Sequence, residues 1–382
     1  MNKLPDGWTE YKLKDIMSIS SKRYNPNKDT KNYKCIELEH IESETGILNG
    51  HTNSKDIHSV KNVFEKGEVL YGKLRPYLKK FYLAKFDGVC SSEIWVLKGK
   101  KVINDFLYYF IQQDNFNYIA NVSIGMIMPR ADWSYMSEIS FNIPPLDEQK
   151  RIASALSKID AYLENTIKLI EEKERFKRGI AKKLLTCKEG ENIPEARFKG
   201  FEDEWKTKTL ENICKNIKTG KLNANAMEKD GQYRFYTCAK DYYKINTYAF
   251  DGEAILISGN GAHVGYVHYY NGKFNAYQRT YVLMDFTENI LFIKYYLDIH
   301  LKYKINIENN KGNIPYIVLN TIKDMEIKFP SLEEQEKIGG YLSLLDAEID
   351  NLKKQKELIK EMKRGAMQKL LSGEVRLVDN YD

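Results

Sequence analysis

The sequence predicts an α+β protein made by tandem duplication, with two mixed, mainly β domains, each followed by one long helix. Three observations carry this. The segment PPLDEQKRIASALSKID, beginning at Pro144, returns as PSLEEQEKIGGYLSLLD at Pro330, 186 positions later. The same offset, without a gap, pairs Phe106 with Phe292, Tyr109 with Tyr295, Pro129 with Pro315 and Arg178-Gly179 with Arg364-Gly365. A period this long describes a duplicated domain, not a solenoid module. Finally, an earlier correspondence at offset 197 relates DGWTEYKLKDI from Asp6 to DEWKTKTLENI from Asp203. The change of offset requires net length differences between the two middle sections.

The elements follow in order. Residues 1–145 form the first domain, 146–190 the first long helix, 191–330 the second domain, and 331–382 the second long helix with a tail. Pro144-Pro145 ends an extended segment, and Asp147 or Glu148 supplies acid to a helix N-terminus. Ile152, Leu156, Ile159 and Leu163 then recur at four- and three-residue steps, Thr166 breaks the row and Ile170 resumes it; the second copy runs Ile338, Leu342, Leu345, Ile349 and Leu352. This is a heptad-like stripe, interrupted by Lys173, Lys177, Lys356 and Lys363, so looser packing is expected there. The helix from Asp147 to Leu185 is about 58 Å long at 1.5 Å per residue, more than one small domain covers, so the two helices are expected to pack on each other. Within the domains, GEVLYGKL, SSEIWVLKG, GEAILISGNG and QRTYVLMDF read as strands, and DFLYYFIQQ and ILFIKYYLDIH as helices.

The chain has 382 residues, 42% apolar and 29% charged, with a net charge of +6. This suits globular domains and is compatible with a polyanionic partner. The N-terminal sequence lacks the apolar core of a signal peptide, and no run reaches the roughly 18 apolar residues of a membrane span. Five cysteines, none at C-x-x-C spacing, point to reduced thiols and a cytoplasmic location, without a zinc site.

No catalytic constellation emerges. SGNGAHVG (Ser258–Gly265) lacks the Lys-Ser/Thr of a phosphate loop and leads into a strand. NIPPL at Asn142 departs from the Asn-Pro-Pro-aromatic signature of amino-methyltransferases. What remains is basic and polar. The candidates in the first domain are Lys22, Arg23, Lys73, Arg75, Tyr77, Lys79 and Arg130. Those in the second are Lys218, Lys221, Asn260, Gln278, Arg279, Lys311 and Asn313. Such side chains read base edges and phosphates. Any one alone is better read as a solvated surface charge; their recurrence in both copies points to DNA.

The two Trp-containing starts, the strand entries FEKGEVL and FDGEAIL, the Leu-acid-Glu-Gln helix openings, and the helix ends KRGIAKKLLT and KRGAMQKLLS together resemble the specificity subunits of Type I restriction-modification enzymes. The resemblance covers essentially the whole chain. It implies two target recognition domains, each reading half of a bipartite site in double-stranded DNA, related by a pseudo-two-fold repeat. The long helices would form an antiparallel coiled coil that sets the half-site spacing and docks methyltransferase subunits, and through them restriction subunits. S-adenosylmethionine and ATP with Mg would bind those partners, with no catalytic residue, cofactor or metal on this chain. A specificity subunit of a related two-subunit system, or a coiled-coil scaffold binding proteins alone, are the alternative readings.

Overall fold

The computed structural model describes residues 5–122, 128–308 and 316–378. It has two compact units that cut across chain order: residues 1–166 with 355–382, and residues 167–354. The long helices are Leu146–Leu185 and Leu332–Ser372. Each unit thus holds one of the two mixed domains, the first half of one long helix and the last half of the other.

The two domains share a strand order. In unit 2 a single six-stranded sheet runs Cys214–Thr219, Thr280–Phe286, Phe250–Ser258, Val267–Ala276, Tyr233–Tyr236, Tyr243–Ile245. In unit 1 the same succession is split into two sheets. Met17–Ile19, Ile94–Gly99, Val69–Gly72 and Phe81–Leu83 form one; Gly88–Cys90, Lys34–Ile36 and Thr52–Asn53 belong to the other, whose remaining strands are Lys61–Phe64 and Arg23–Tyr24. Among the described residues each unit has one parallel strand pair, Lys34–Ile36 on Gly88–Cys90 and Tyr233–Tyr236 on Val267–Ala276. A separate two-stranded ladder joins the segment after each Trp to the strand before the long helix, Thr9–Lys12 with Ser140–Ile143 and Lys206–Thr209 with Glu326–Phe329.

The strand sequences look continuously apolar because both sheet faces are covered. Side chains alternate across a strand. Val69 and Tyr71 enter the core beneath the helices, while Leu70 enters a smaller core on the opposite face. In unit 2, Ile255 and Ile257 face the helices and Ala254 and Leu256 face away.

The repeated Leu-acid-Glu-Gln phrase is a fastening. Gln149 accepts from the backbone N–H of Ile103 and donates to the carbonyls of Lys101 and Pro144. Gln335 accepts from Asn289 N–H and donates to Glu288 and Pro330. Asp147 and Glu148 both stand in the first helical turn, supplying acid to the N-terminus as the sequence suggests. The glutamate is also buried and engages an arginine from the segment that follows the other long helix: Glu148 accepts from Arg376 at 2.7 and 2.8 Å, and Glu334 from Arg197 at 2.9 and 2.8 Å. Trp8 also donates to Glu148, at 3.0 Å. Its counterpart Trp205 has a buried indole N–H with no partner among the described residues.

Three of the four lysines that interrupt the helical stripe, Lys173, Lys177 and Lys363, form polar locks to the other helix, while among the described residues Lys356 pairs only with its neighbour Glu357. In unit 1, Lys363 forms an ion pair with Asp160 at 2.8 Å and donates to Gln112 at 3.0 Å, while Asp160 accepts from the hydroxyl of Tyr109 at 2.9 Å. In unit 2, Asp346 receives Lys177 and the Tyr295 hydroxyl, and Lys173 meets Glu348 at 2.7 Å. Both locks set one antiparallel register, in which Leu163 stands nearly level with Ile359 in unit 1 and Ile170 with Leu352 in unit 2. The outer stripe residues serve a second purpose. Ile152, Leu156 and Ile159 join Met367 and Leu370 in the core of domain 1, and Ile338, Leu342 and Leu345 join Ala181 and Leu184 in that of domain 2. Ile349 is buried as well.

These carboxylates make stability acid-sensitive. Burial raises the carboxyls of Glu148 and Asp346, but the donors around them outweigh it and hold both below their ordinary values. A folded-state value below the unfolded one gives stability that is present above the unfolded pKa and lost as pH falls through the folded one. Asp298, raised by burial, acts in the opposite sense. Denaturation midpoints should therefore fall as pH drops below the ordinary carboxylate range of about 4. Asp346→Asn should flatten that limb, while a limb as steep as the parent's would remove Asp346 as its source.

Candidate nucleic-acid interface

In each unit, loops from several strands converge at one end of the sheet, and most candidate residues sit there. The frame is the same in both. Where the strand Val69–Gly72 ends, Lys73 N–H donates to Glu93 O at 2.9 Å and Lys73 O accepts from Ala131 N–H at 2.9 Å. Where Phe250–Ser258 ends, Gly259 N–H donates to Arg279 O at 2.9 Å and Gly259 O accepts from Ile317 N–H at 2.8 Å. Leu74 bridges to Arg130, and Asn260 to Tyr316. A Cβ on Gly259 would lie 2.2 Å from Arg279 O, so the close approach in unit 2 needs that glycine.

In unit 1 this corner gathers Lys73, Arg75, Glu93 and Arg130. Arg130 donates through Nε and one terminal nitrogen to both oxygens of Glu93, at 3.0 and 3.1 Å. Arg75 is exposed, with φ 52° and ψ 62°, a left-handed conformation that costs a non-glycine residue energy. Its repeat counterpart, Gly261, has φ 80°. Arg75 N–H to Pro129 O, at 2.8 Å, fixes the turn. Asn62 borders the corner, donating to Ser91 O and Ile94 O while accepting from Arg23.

Not every candidate gathers there. Lys22 is paired with Glu65 at 2.6 Å. Tyr77, 54% exposed, and Lys79 follow on the next turn. Lys79 lies 3.7 Å from both Glu44 and Asp114 and lines a cleft of about 590 Å³ against the second long helix, away from the corner.

In unit 2 the sheet end presents Lys218, Lys221, Gln278 and Arg279, all exposed, with Asn260 half-buried. The turn Tyr277–Thr280 is held by Thr280 N–H to Tyr277 O, and Gln278 N–H reaches Leu222 O beside Lys221. Lys311 and Asn313 lie outside the described residues. Two residues here escaped the sequence reading, Glu93 and Tyr316. The signal was available, because the 186-residue offset that pairs Pro129 with Pro315 also pairs Arg130 with Tyr316 and Glu93 with Arg279.

Exposed donors in a fixed frame, repeated once per unit, are chemically suited to base edges and phosphates. The family model described as Type I restriction modification DNA specificity domain matches residues 5–172 and again 202–361. The chain belongs to this family. As a Type I specificity protein it is 41% identical over 170 residues to the EcoDI specificity subunit of Escherichia coli, covering 44% of this chain and 37% of that one. Over 99% of its own length and 96% of the relative's, it is 25% identical to a putative Type I specificity subunit, MjaX, of Methanocaldococcus jannaschii. The Type I S subunit structure from M. genitalium superposes with a TM-score of 0.64 at 19% identity, covering 97% of both chains, which supports the fold. No helix among the described residues of this specificity protein is long and apolar enough to cross a membrane.

Proposed function

We propose that this chain is the non-catalytic DNA-specificity subunit of a Type I restriction-modification complex, each recognition domain reading one half of a bipartite site in double-stranded DNA. The observation that carries this is the matched sheet end of the two units, with Arg75 and Arg279 exposed on equivalent frames. Family membership supports the same reading.

Methyltransferase subunits would supply S-adenosylmethionine chemistry, and restriction subunits ATP- and Mg-dependent cleavage. Their docking is supported by apolar side chains left exposed on the long helices, Tyr162, Leu358 and Met362 in unit 1 and Leu169, Phe176 and Leu344 in unit 2. Phe176 and Met362 are repeat counterparts, each followed after three residues by a glycine with open space around it, Gly179 or Gly365. Residues three apart share a helix face. Equivalent patches suit two copies of one partner.

Binding to duplex DNA across a salt series tests the reading. Arg75→Ala and Arg279→Ala should each weaken binding through its own half-site, by about 1–3 kcal/mol for a lost bidentate guanine contact. Parent-like binding by both variants at every salt concentration would reassign them as surface charges.

A further inference from the structure

The two corners hold the same backbone and opposite chemistry. At the turn, unit 1 has Glu93 where unit 2 has Arg279; on the facing loop, Arg130 where unit 2 has Tyr316; past the strand end, Arg75 where unit 2 has Gly261. The hydrogen bonds that set these positions agree to within 0.1 Å (Lys73 N to Glu93 O and Gly259 N to Arg279 O both 2.9 Å; Ala131 N to Lys73 O 2.9 Å and Ile317 N to Gly259 O 2.8 Å). A side chain at the turn therefore starts from the same place in each unit.

Physical chemistry constrains what each can meet. A carboxylate repels phosphate, so in a DNA-facing corner it belongs against base edges, where it accepts from an amino group. Arg130 holds both Glu93 oxygens, and each retains a free lone pair. Among the described residues no hydrogen bond or ion pair holds the Arg279 guanidinium, while its carbonyl accepts from Gly259 N–H and the Cys238 thiol, so its planar fork is available for the O6 and N7 of guanine. Tyr316, 45% exposed beside it, offers a flat wall and no charge.

We propose that this corner is a specificity-determining element of each unit. The Glu93–Arg130 pair accepts from the amino group of a cytosine or adenine, while Arg279 at the equivalent place selects a guanine. Arg75 adds a second donor at a position where unit 2 has Gly261. The inference rests on the reading of the chain as a DNA-specificity subunit and adds which side chains make the two half-sites differ.

The test is selection of sequences from a randomised duplex pool by the full chain together with its co-purified methyltransferase subunits. The parent should enrich two half-sites. Exchanging the unit 2 corner for that of unit 1, with Arg279→Glu and Tyr316→Arg together, should replace the guanine preference at one base pair of the second half-site. The first half-site should stay as it was, which also reports a folded chain. Arg279→Lys, which keeps charge but loses the fork, should relax that same base pair by roughly ten- to a hundred-fold. If the exchange abolishes enrichment, Arg279→Lys decides alone. A parent that enriches a bipartite sequence, with the second half-site unchanged in these variants, overturns the corner assignment and leaves the DNA reading intact. A parent that enriches nothing removes both.

Discussion

Replacing Arg197 with methionine is expected to destabilise unit 2 by about 3–5 kcal/mol, the range for breaking a buried ion pair. Glu334 is fully buried, and Arg197 is the one side chain among the described residues that donates to it. Methionine fills a similar volume but leaves a carboxylate in a dry site with no donor. The matching change in unit 1, Arg376→Met, should cost less, because Glu148 keeps the Trp8 indole at 3.0 Å. Replacing the partner as well, in Arg197→Met with Glu334→Leu, should recover much of the loss, since a buried pair can be exchanged for apolar packing at little net cost. Hydrogen exchange at increasing denaturant, read separately over the two domains, measures all three. Equal losses at Arg197 and Arg376 would mean that the Trp8 bond contributes nothing.

The second large effect concerns spacing. The locks Asp160–Lys363 and Lys177–Asp346 are separated by the same number of residues on both long helices. The sequence alone suggests lengthening the first helix by four residues after Thr166; the lock register requires four in the second helix too, after Lys356, so that each lock keeps its partner. Four residues add about 6 Å and nearly preserve the 3.6-residue phase. At about 3.4 Å per base pair, the preferred gap between half-sites should widen by one or two base pairs, with the bases in each half unchanged. An active enzyme with the original gap would show that the helices do not set the spacing. Altered half-site bases would place the readers elsewhere.

The legible parts of this molecule were those the duplication writes twice. The helix openings, the Trp-containing starts and the sheet strands could be read because each copy confirms the other. The exchange of helix ends between units could not, because Arg376 and Glu148 are brought together only by the antiparallel return of the second helix. Lys177 and Lys363 looked like flaws in an apolar stripe because their aspartates lie on the other helix. Arg75, Arg130 and Arg279 stand out in the sequence as basic residues, whereas nothing local singles out Glu93, whose partner Arg130 lies 37 positions away. Lys22 and Lys79 stand out equally, because their acidic neighbours come from distant strands and helices.

The central claim, that this chain chooses the DNA sequence for a modifying complex, is tested most directly by mapping methylated adenines across the host genome with and without the chain. The account predicts that one asymmetric, bipartite motif with a fixed gap loses its methylation when the chain is removed and regains it when the chain is restored. A genome whose methylated motifs are identical in both states would contradict it.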